Sequence, residues 1–300
     1  MTKLEYTFTD DTLFKSLFVK YPHLLKRLVA ELLEIAIDSI GQFEITNPEI
    51  PPESLRDKFC RLDINMTVDG QRVDLEIQVQ DEGDFPERTL FYWARDYSSA
   101  LPAGGKYHEL PRVVIISIMA FNLFDCEDYH SEFQPLEITR HTPLTDKQSL
   151  HYFELPKLPE VIDADDELKL WLSLFKAETE EELKQIEELE VPVMRQAIGA
   201  YRIITATPEF RERARLHEKA RHDEAQALEH ATEVATEVER AKWQGVVADK
   251  DAALADKDVA LADKDAALAD KDAALADKDA ENARLREQLA ALQTKFGEGE

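Results

Sequence analysis

Two carboxylates stand where they could share a hard cation. Asp63 lies early in an alternating segment, Arg61 to Val68, and Glu76 lies in a second, Gln71 to Gln80, with Asp69-Gly70 between the two. Asp-Gly between such segments signals a tight hairpin, and a two-residue loop there sets Val68 opposite Gln71, so that partner numbers sum to 139 along the ladder. Leu62 then meets Ile77, Ile64 meets Leu75 and Met66 meets Val73; on the other face Asp63 meets Glu76. Opposed Cβ atoms in a ladder are about 4.5–5.5 Å apart, where like charges repel unless a cation lies between them. Mg²⁺ accepts one or two carboxylates and keeps waters for chemistry, so this spacing points to metal-assisted phosphoryl chemistry. An acid pair on a solvated hairpin face would show the same spacing and do no chemistry.

The elements that must hold this hairpin follow from apolar periodicity. Leu13, Phe14, Leu17 and Phe18 recur at helical spacing after the capping candidates Thr9 and Asp10, and a second helix runs from Pro22 with Leu24, Leu25, Leu28, Val29, Leu32 and Leu33 inward. A polar, proline-bearing connection (Asn47 to Ser54) leads to the two strands, so the fold opens α-α-β-β. In the second strand Val73, Leu75, Ile77 and Val79 share one face, and Asp74, Glu76, Gln78 and Gln80 the other. A helix from Pro86 is expected to bury Leu90, Phe91, Ala94 and Tyr97; after Gly104-Gly105 the run RVVIISIMAF reads as a central strand covered on both faces. Glu132 to Thr139 and Leu150 to Leu155 are expected to extend the sheet, and from Asp165 the chain turns helical.

Composition changes after Pro208: glycine is absent until Gly245, and Ala227, Ala231, Val234, Val238 and Ala241 are spaced as in a coiled-coil seam. Residues 248–282 then repeat ADKDAAL. Only Asp or Lys lies three or four residues from Leu254 or Leu261, so the repeats present alanine rather than leucine at seam spacing, and a better seam returns at Leu285, Leu289, Leu292 and Phe296. The division expected is a globular domain over residues 1–207 and an extended helical, weakly coiled-coil tail over 208–300. The tail reads as a solvated helical spacer, with a homo-oligomer formed through it as the assembly to test.

Charge and motif content narrow the function. The 300 residues carry a formal charge of −26, and residues 1–130 alone hold 13 Lys/Arg against 23 Asp/Glu, a net of −10, so any nucleic-acid contact must use a local basic patch. No signal pattern opens the chain, and the longest apolar run, Val113 to Phe121, is too short to span a bilayer; a cytoplasmic protein with no membrane contact is expected. Cys60 and Cys126 form no metal-ligand pair with the eight histidines, and no phosphate-cradling glycine loop is present.

The arrangement of Asp63, a hairpin and Glu76-Ile77-Gln78, preceded by DDTLFKSLF and followed by FPERTLFYWARDYSSAL, GGKYHELPRVVIISI and HYFELPKL, resembles the Rpn family of PD-(D/E)XK nucleases, the recombination-promoting nucleases grouped with transposases. The resemblance covers about residues 6–240 and excludes the repeats. It implies an α/β fold, a restriction-endonuclease-like mixed sheet flanked by helices, ahead of the helical, heptad-repeat tail. It also implies cleavage of DNA phosphodiesters with Mg²⁺ or another divalent cation. By position, Asp63 and Glu76 match the metal-binding acids, the backbone carbonyl of Ile77 is a further ligand, and Gln78 takes the place of the motif lysine. Glutamine can orient a water but brings no charge; the hairpin register puts Arg61 opposite Gln78, where it could supply one. Asp11 and Lys15, i and i+4 on the first helix, are accessory candidates as well as an ordinary surface pair. Arg88, Tyr92 and Arg95 share a helix face suited to DNA phosphates and bases, and equally to ordinary surface. The alternative to an endonuclease is a nuclease-fold scaffold that acts through protein assembly.

Overall fold

The computed structural model describes residues 2–46, 49–50, 60–61, 64–161 and 163–297, and the chain divides into two compact units, Met1–Ala220 and Arg221–Glu300. In the first unit α1 (Asp11–Lys20) starts on Asp10, whose carboxylate accepts the Leu13 N–H at 2.9 Å, and α2 (Pro22–Leu32) starts on its proline. Next come β1 (Phe43–Thr46), β2 (Glu49–Ile50), β3 (Cys60–Arg61), β4 (Ile64–Val68) and β5 (Gln71–Gln78). Strand β1 was missed in the sequence because its four residues, FEIT, give too short an alternation; it covers the outer edge of β4.

The Asp69-Gly70 turn has positive φ at both residues, 46° and 78°, the conformation that a two-residue hairpin loop with right-handed strand twist demands. Pairing is as expected, from Ile64 opposite Leu75 to Val68 opposite Gln71. Helix α3 (Phe85–Ser99) carries the chain over the sheet to β6 (Val113–Met119), which pairs parallel to β5. All of β6 is buried, as expected of a strand covered on both faces. β7 (His130–Phe133) and β8 (Gln148–Glu154) complete a mixed sheet in the order β1-β4-β5-β6-β8-β7. β7 lies earlier than the Glu132 to Thr139 expected, because the loop after Phe133 turns back on itself, with the Glu137 N–H bonded to the Thr142 carbonyl.

Side chains alternating along the strands divide the core in two. Val73, Leu75, Ile77, Val114, Ile116 and Phe153 pack with α1, α2 and the later helices α4 (Glu167–Lys176), α5 (Glu180–Glu188) and α6 (Pro192–Thr205). On the opposite face Val113, Ile115, Met119, Leu150 and Tyr152 pack with Phe85 of α3. The last helix, α7, runs from Pro208 to Gly297, and Phe210 and Ala214 in its first turns are buried in the larger cluster. In the second unit the leucines of the ADKDAAL repeats are exposed.

Candidate active site

The two sets of side chains on β5 meet different surroundings. Val73 and Leu75 are fully buried in the larger cluster, whereas Asp74, Glu76 and Gln78 point to the face that α3 crosses. A solvated polar face was one reading of that alternation. Instead Asp74 is fully buried, Glu76 is 5% exposed and Gln78 is half-buried. The cause is the parallel pairing of β5 with β6, which requires a crossover, and the crossover helix lies on the sheet it spans.

The inner stripe of α3 is also not the expected one. Phe85, Thr89 and Asp96 are buried, while Leu90 and Phe91 are each 47% exposed and Ala94 faces outward. An apolar stripe marks the inner side of a helix only when what it covers is apolar; α3 covers carboxylates, and its inner side is partly polar.

Burial sets the electrostatics here. Neither oxygen of Asp74 has a hydrogen-bond partner, and burial holds its pKa well above the ordinary carboxylate range, reinforced by the Asp96 charge and opposed by Arg72. Burial likewise pushes Glu76 up to about 7, with Arg88 pulling down and Glu82 pushing further up. The two oxygens of Glu76 differ: Oε1 is 3.7 Å from Arg88 Nη2, while Oε2 is buried with no hydrogen-bond partner. Gln78 Nε2 donates to the Gln80 carbonyl at 2.8 Å, so its Oε1 is the atom left for a water. Ile77, whose backbone carbonyl is the further candidate ligand, stands between these two residues in the chain, with its side chain in the larger core cluster.

The pair that fastens α3 over this face has no signature in the sequence. Arg72 Nη1 donates to Asp96 Oδ1 at 2.5 Å, to the Asp96 carbonyl at 3.0 Å and to Ser99 Oγ at 2.9 Å. Asp96 is 2% exposed, so Arg72→Met would leave a buried carboxylate without its countercharge. The expected cost is about 2 kcal/mol, below the range for a fully buried pair because Arg72 is a third exposed. Urea unfolding of Arg72→Met, Asp96→Asn and the double variant checks it: the double variant should recover most of the loss, and strictly additive losses would mean that the pair does not couple.

The other sequence candidates divide. Asp63 and Leu62 lie outside the described residues; the described ladder ends at Ile64, one residue short of Asp63. Arg61 pairs with Glu49 in a separate two-stranded ladder, and its opposition to Gln78 is not among the described pairs. Arg88 does not present itself to solvent as a phosphate contact: it bonds Glu82 at 2.9 Å, stacks over Phe85 at 4.9 Å and faces Glu76. Tyr92 and Arg95, on the same side of α3, are half-buried. Asp11 and Lys15 pair at 3.3 Å on α1 and line a groove of about 690 Å³ with Lys20, Arg213 and His217. The HYFELPKL segment is a fastening. Glu154 is fully buried and accepts the Leu123 N–H at 2.6 Å and the Phe124 N–H at 3.2 Å, while Lys157 neutralises it at 2.6 Å.

A buried carboxylate oxygen with no partner is what a divalent cation would use, and Glu76 Oε2 fits one place in such a shell. Among the described residues no three His, Cys, Asp or Glu groups converge on one point, so Glu76 alone does not make a site. No described helix is long and apolar enough to cross a membrane.

A family model described as PD-(D/E)XK nuclease family transposase matches residues 8–231. No curated protein and no solved structure matches the chain.

Proposed function

The chain belongs to the PD-(D/E)XK nuclease family transposases, and from that premise we propose that it is a metal-dependent DNA endonuclease. The observation that carries this reading is Glu76, a nearly buried carboxylate with one unpartnered oxygen, on the second strand of the Asp69-Gly70 hairpin. Asp63, Glu76 and the Ile77 carbonyl would hold Mg²⁺ or another divalent cation, which supplies positive charge to the phosphodiester and lowers the pKa of a nearby water. Gln78 Oε1 orients that water by accepting one of its hydrogens. The water oxygen bonds to phosphorus as one ester P–O bond breaks, and its proton passes through solvent to the leaving ester oxygen.

Residues 1–207 form the nuclease domain in this reading, and 208–300 a helical tail through which copies could associate; the protein is cytoplasmic. The uncharged Gln78 also favours a second reading, a nuclease-fold scaffold without catalysis. Supercoiled plasmid incubated with and without Mg²⁺ separates the two. The wild type should nick only with the ion and Asp63→Ala should not nick; Gln78→Lys should keep or increase the rate, and Gln78→Ala should lose it. Metal-independent nicking, or none from the wild type, would exclude the endonuclease.

A further inference from the structure

We infer that the groove between α1 and the first turns of α7 binds a nucleoside phosphate, with Arg213 and Lys20 on the phosphate and Val19 against the base. The inference goes beyond the endonuclease reading, because the groove belongs to the other side of the sheet. α1 packs on the face of Val73 and Leu75, whereas Glu76 meets Arg88 of α3 on the opposite face. Asp11 lies 3.4 Å from His217, and Ser16 lies 3.5 Å from Arg213, so α1 and the start of α7 pass each other in opposite directions. These turns of α7 lie within the first compact unit. The space between them is about 690 Å³, within the range of about 300–1,000 Å³ usual for small-molecule sites.

Its lining is divided by chemistry. Arg213 and Lys20 are exposed and come from different helices. Among the described residues Arg213 makes one long polar contact, Nη1 to Ser16 Oγ at 3.5 Å, so most of its planar fork is open to an anion. Asp11 does not cancel these two cations, since its carboxylate is engaged by Lys15 at 3.3 Å and by His217 at 3.4 Å. Glu209 is exposed at the same groove; it turns the phosphate toward Arg213 and is itself an acceptor for a sugar hydroxyl or a base amine. The floor is apolar: Ile204 and Phe210 are nearly buried, and Val19 stands 57% exposed beside them. Inorganic phosphate would leave Val19 in water, whereas a base laid on it removes that surface from solvent. In a chain of formal charge −26, attraction for a phosphate must come from a local pair of cations such as this one.

The test is calorimetric titration of the full-length chain in EDTA, so that no divalent ion contributes. The probes are dAMP, ribose 5-phosphate, inorganic phosphate and a single-stranded deoxyadenosine hexamer. Wild type is expected to bind dAMP with a Kd of about 1 mM or tighter, and the two smaller probes more weakly in turn. Arg213→Met should weaken dAMP about tenfold or more, the loss of a charge-assisted contact, and Arg213→Lys, which keeps the charge without the fork, should lie between. Val19→Ser should weaken dAMP and leave ribose 5-phosphate unchanged, a difference that a merely electrostatic patch would not show. Both positions are exposed, and urea midpoints equal to that of the wild type would establish that the variants fold. A hexamer bound more than about tenfold tighter than dAMP, or bound when dAMP is not, and weakened by the same substitutions, would identify a DNA strand as the source of the nucleotide. Comparable or weaker hexamer binding would identify the free nucleotide. No saturable binding of dAMP or hexamer, binding indifferent to Arg213→Met and Val19→Ser, or inorganic phosphate bound as tightly as dAMP would overturn the inference. Each of these leaves the endonuclease reading to its own test, Mg²⁺-dependent nicking.

Discussion

At pH 8 the Glu76→Gln protein is expected to resist denaturant better than the wild type while nicking plasmid on the order of 10³-fold more slowly. The rate loss follows from removing a proposed metal ligand whose charge stabilisation is worth several kcal/mol. The stability gain follows from burial, which raises the folded pKa of Glu76 to about 7 from 4.5. The folded state therefore holds the proton more tightly than the unfolded chain, and the contribution of Glu76 is fully present below pH 4.5 and lost as pH rises through 7. Above that the ionised carboxylate costs about 3 kcal/mol, which the amide avoids. The gap between variant and wild type should close toward pH 4.5. Urea unfolding of both proteins across this range is the measurement, and a wild type more stable than Glu76→Gln at pH 8 would contradict the burial of that charge.

A stability loss of the opposite sign is expected from the far edge of the sheet, where His151 sits 7% exposed. Ser149 donates to Glu132 at 2.7 Å, and its oxygen lies 2.9 Å from His151 Nε2, while His151 Nδ1 lies 3.1 Å from His130 Nε2. Since the one serine hydrogen goes to the carboxylate, His151 must donate to Ser149 and accept from His130. A second proton on His151 would face the His130 N–H. Burial lowers the His151 pKa to about 4; Glu132 opposes, and His130 and Arg112 add to the lowering. With a depressed folded pKa, the contribution is intact above pH 6.5 and is lost as pH falls toward 4, by about 3 kcal/mol at most. Unfolding of His151→Gln should show a deficit at pH 7.5 that shrinks toward pH 4.5; a deficit independent of pH would sink the assignment. Because Glu76 and His151 run in opposite directions over nearly the same window, the wild-type profile should be flatter than that of either variant.

Much of this was legible in residue order. The Asp69-Gly70 turn and the apolar pairs Ile64–Leu75 and Met66–Val73 specify the hairpin register, because a one-residue slip would turn Leu75 and Val73 to the wrong face. The buried run of β6, the caps of α1 and α2 and the long final helix follow from equally local rules. Short β1 and the bounds of β7 were not legible in this way, and neither was the inner side of α3. Leu90 and Phe91 form the more apolar stripe, yet the helix turns Thr89 and Asp96 inward.

The sequence by itself determined which residues alternate along β5 and which neighbour each meets across the turn, since both are set within a few residues by strand period and turn geometry. Only the tertiary structure decided that the polar half of that strand would be dry. Parallel pairing with a strand more than thirty residues away brings α3 over it, and that cover raises the Glu76 pKa, places Arg88 at its Oε1 and sets Arg72 against Asp96. Desolvation and through-space charge depend on what lies above a side chain, and the residues above Glu76 are not the ones beside it in the chain.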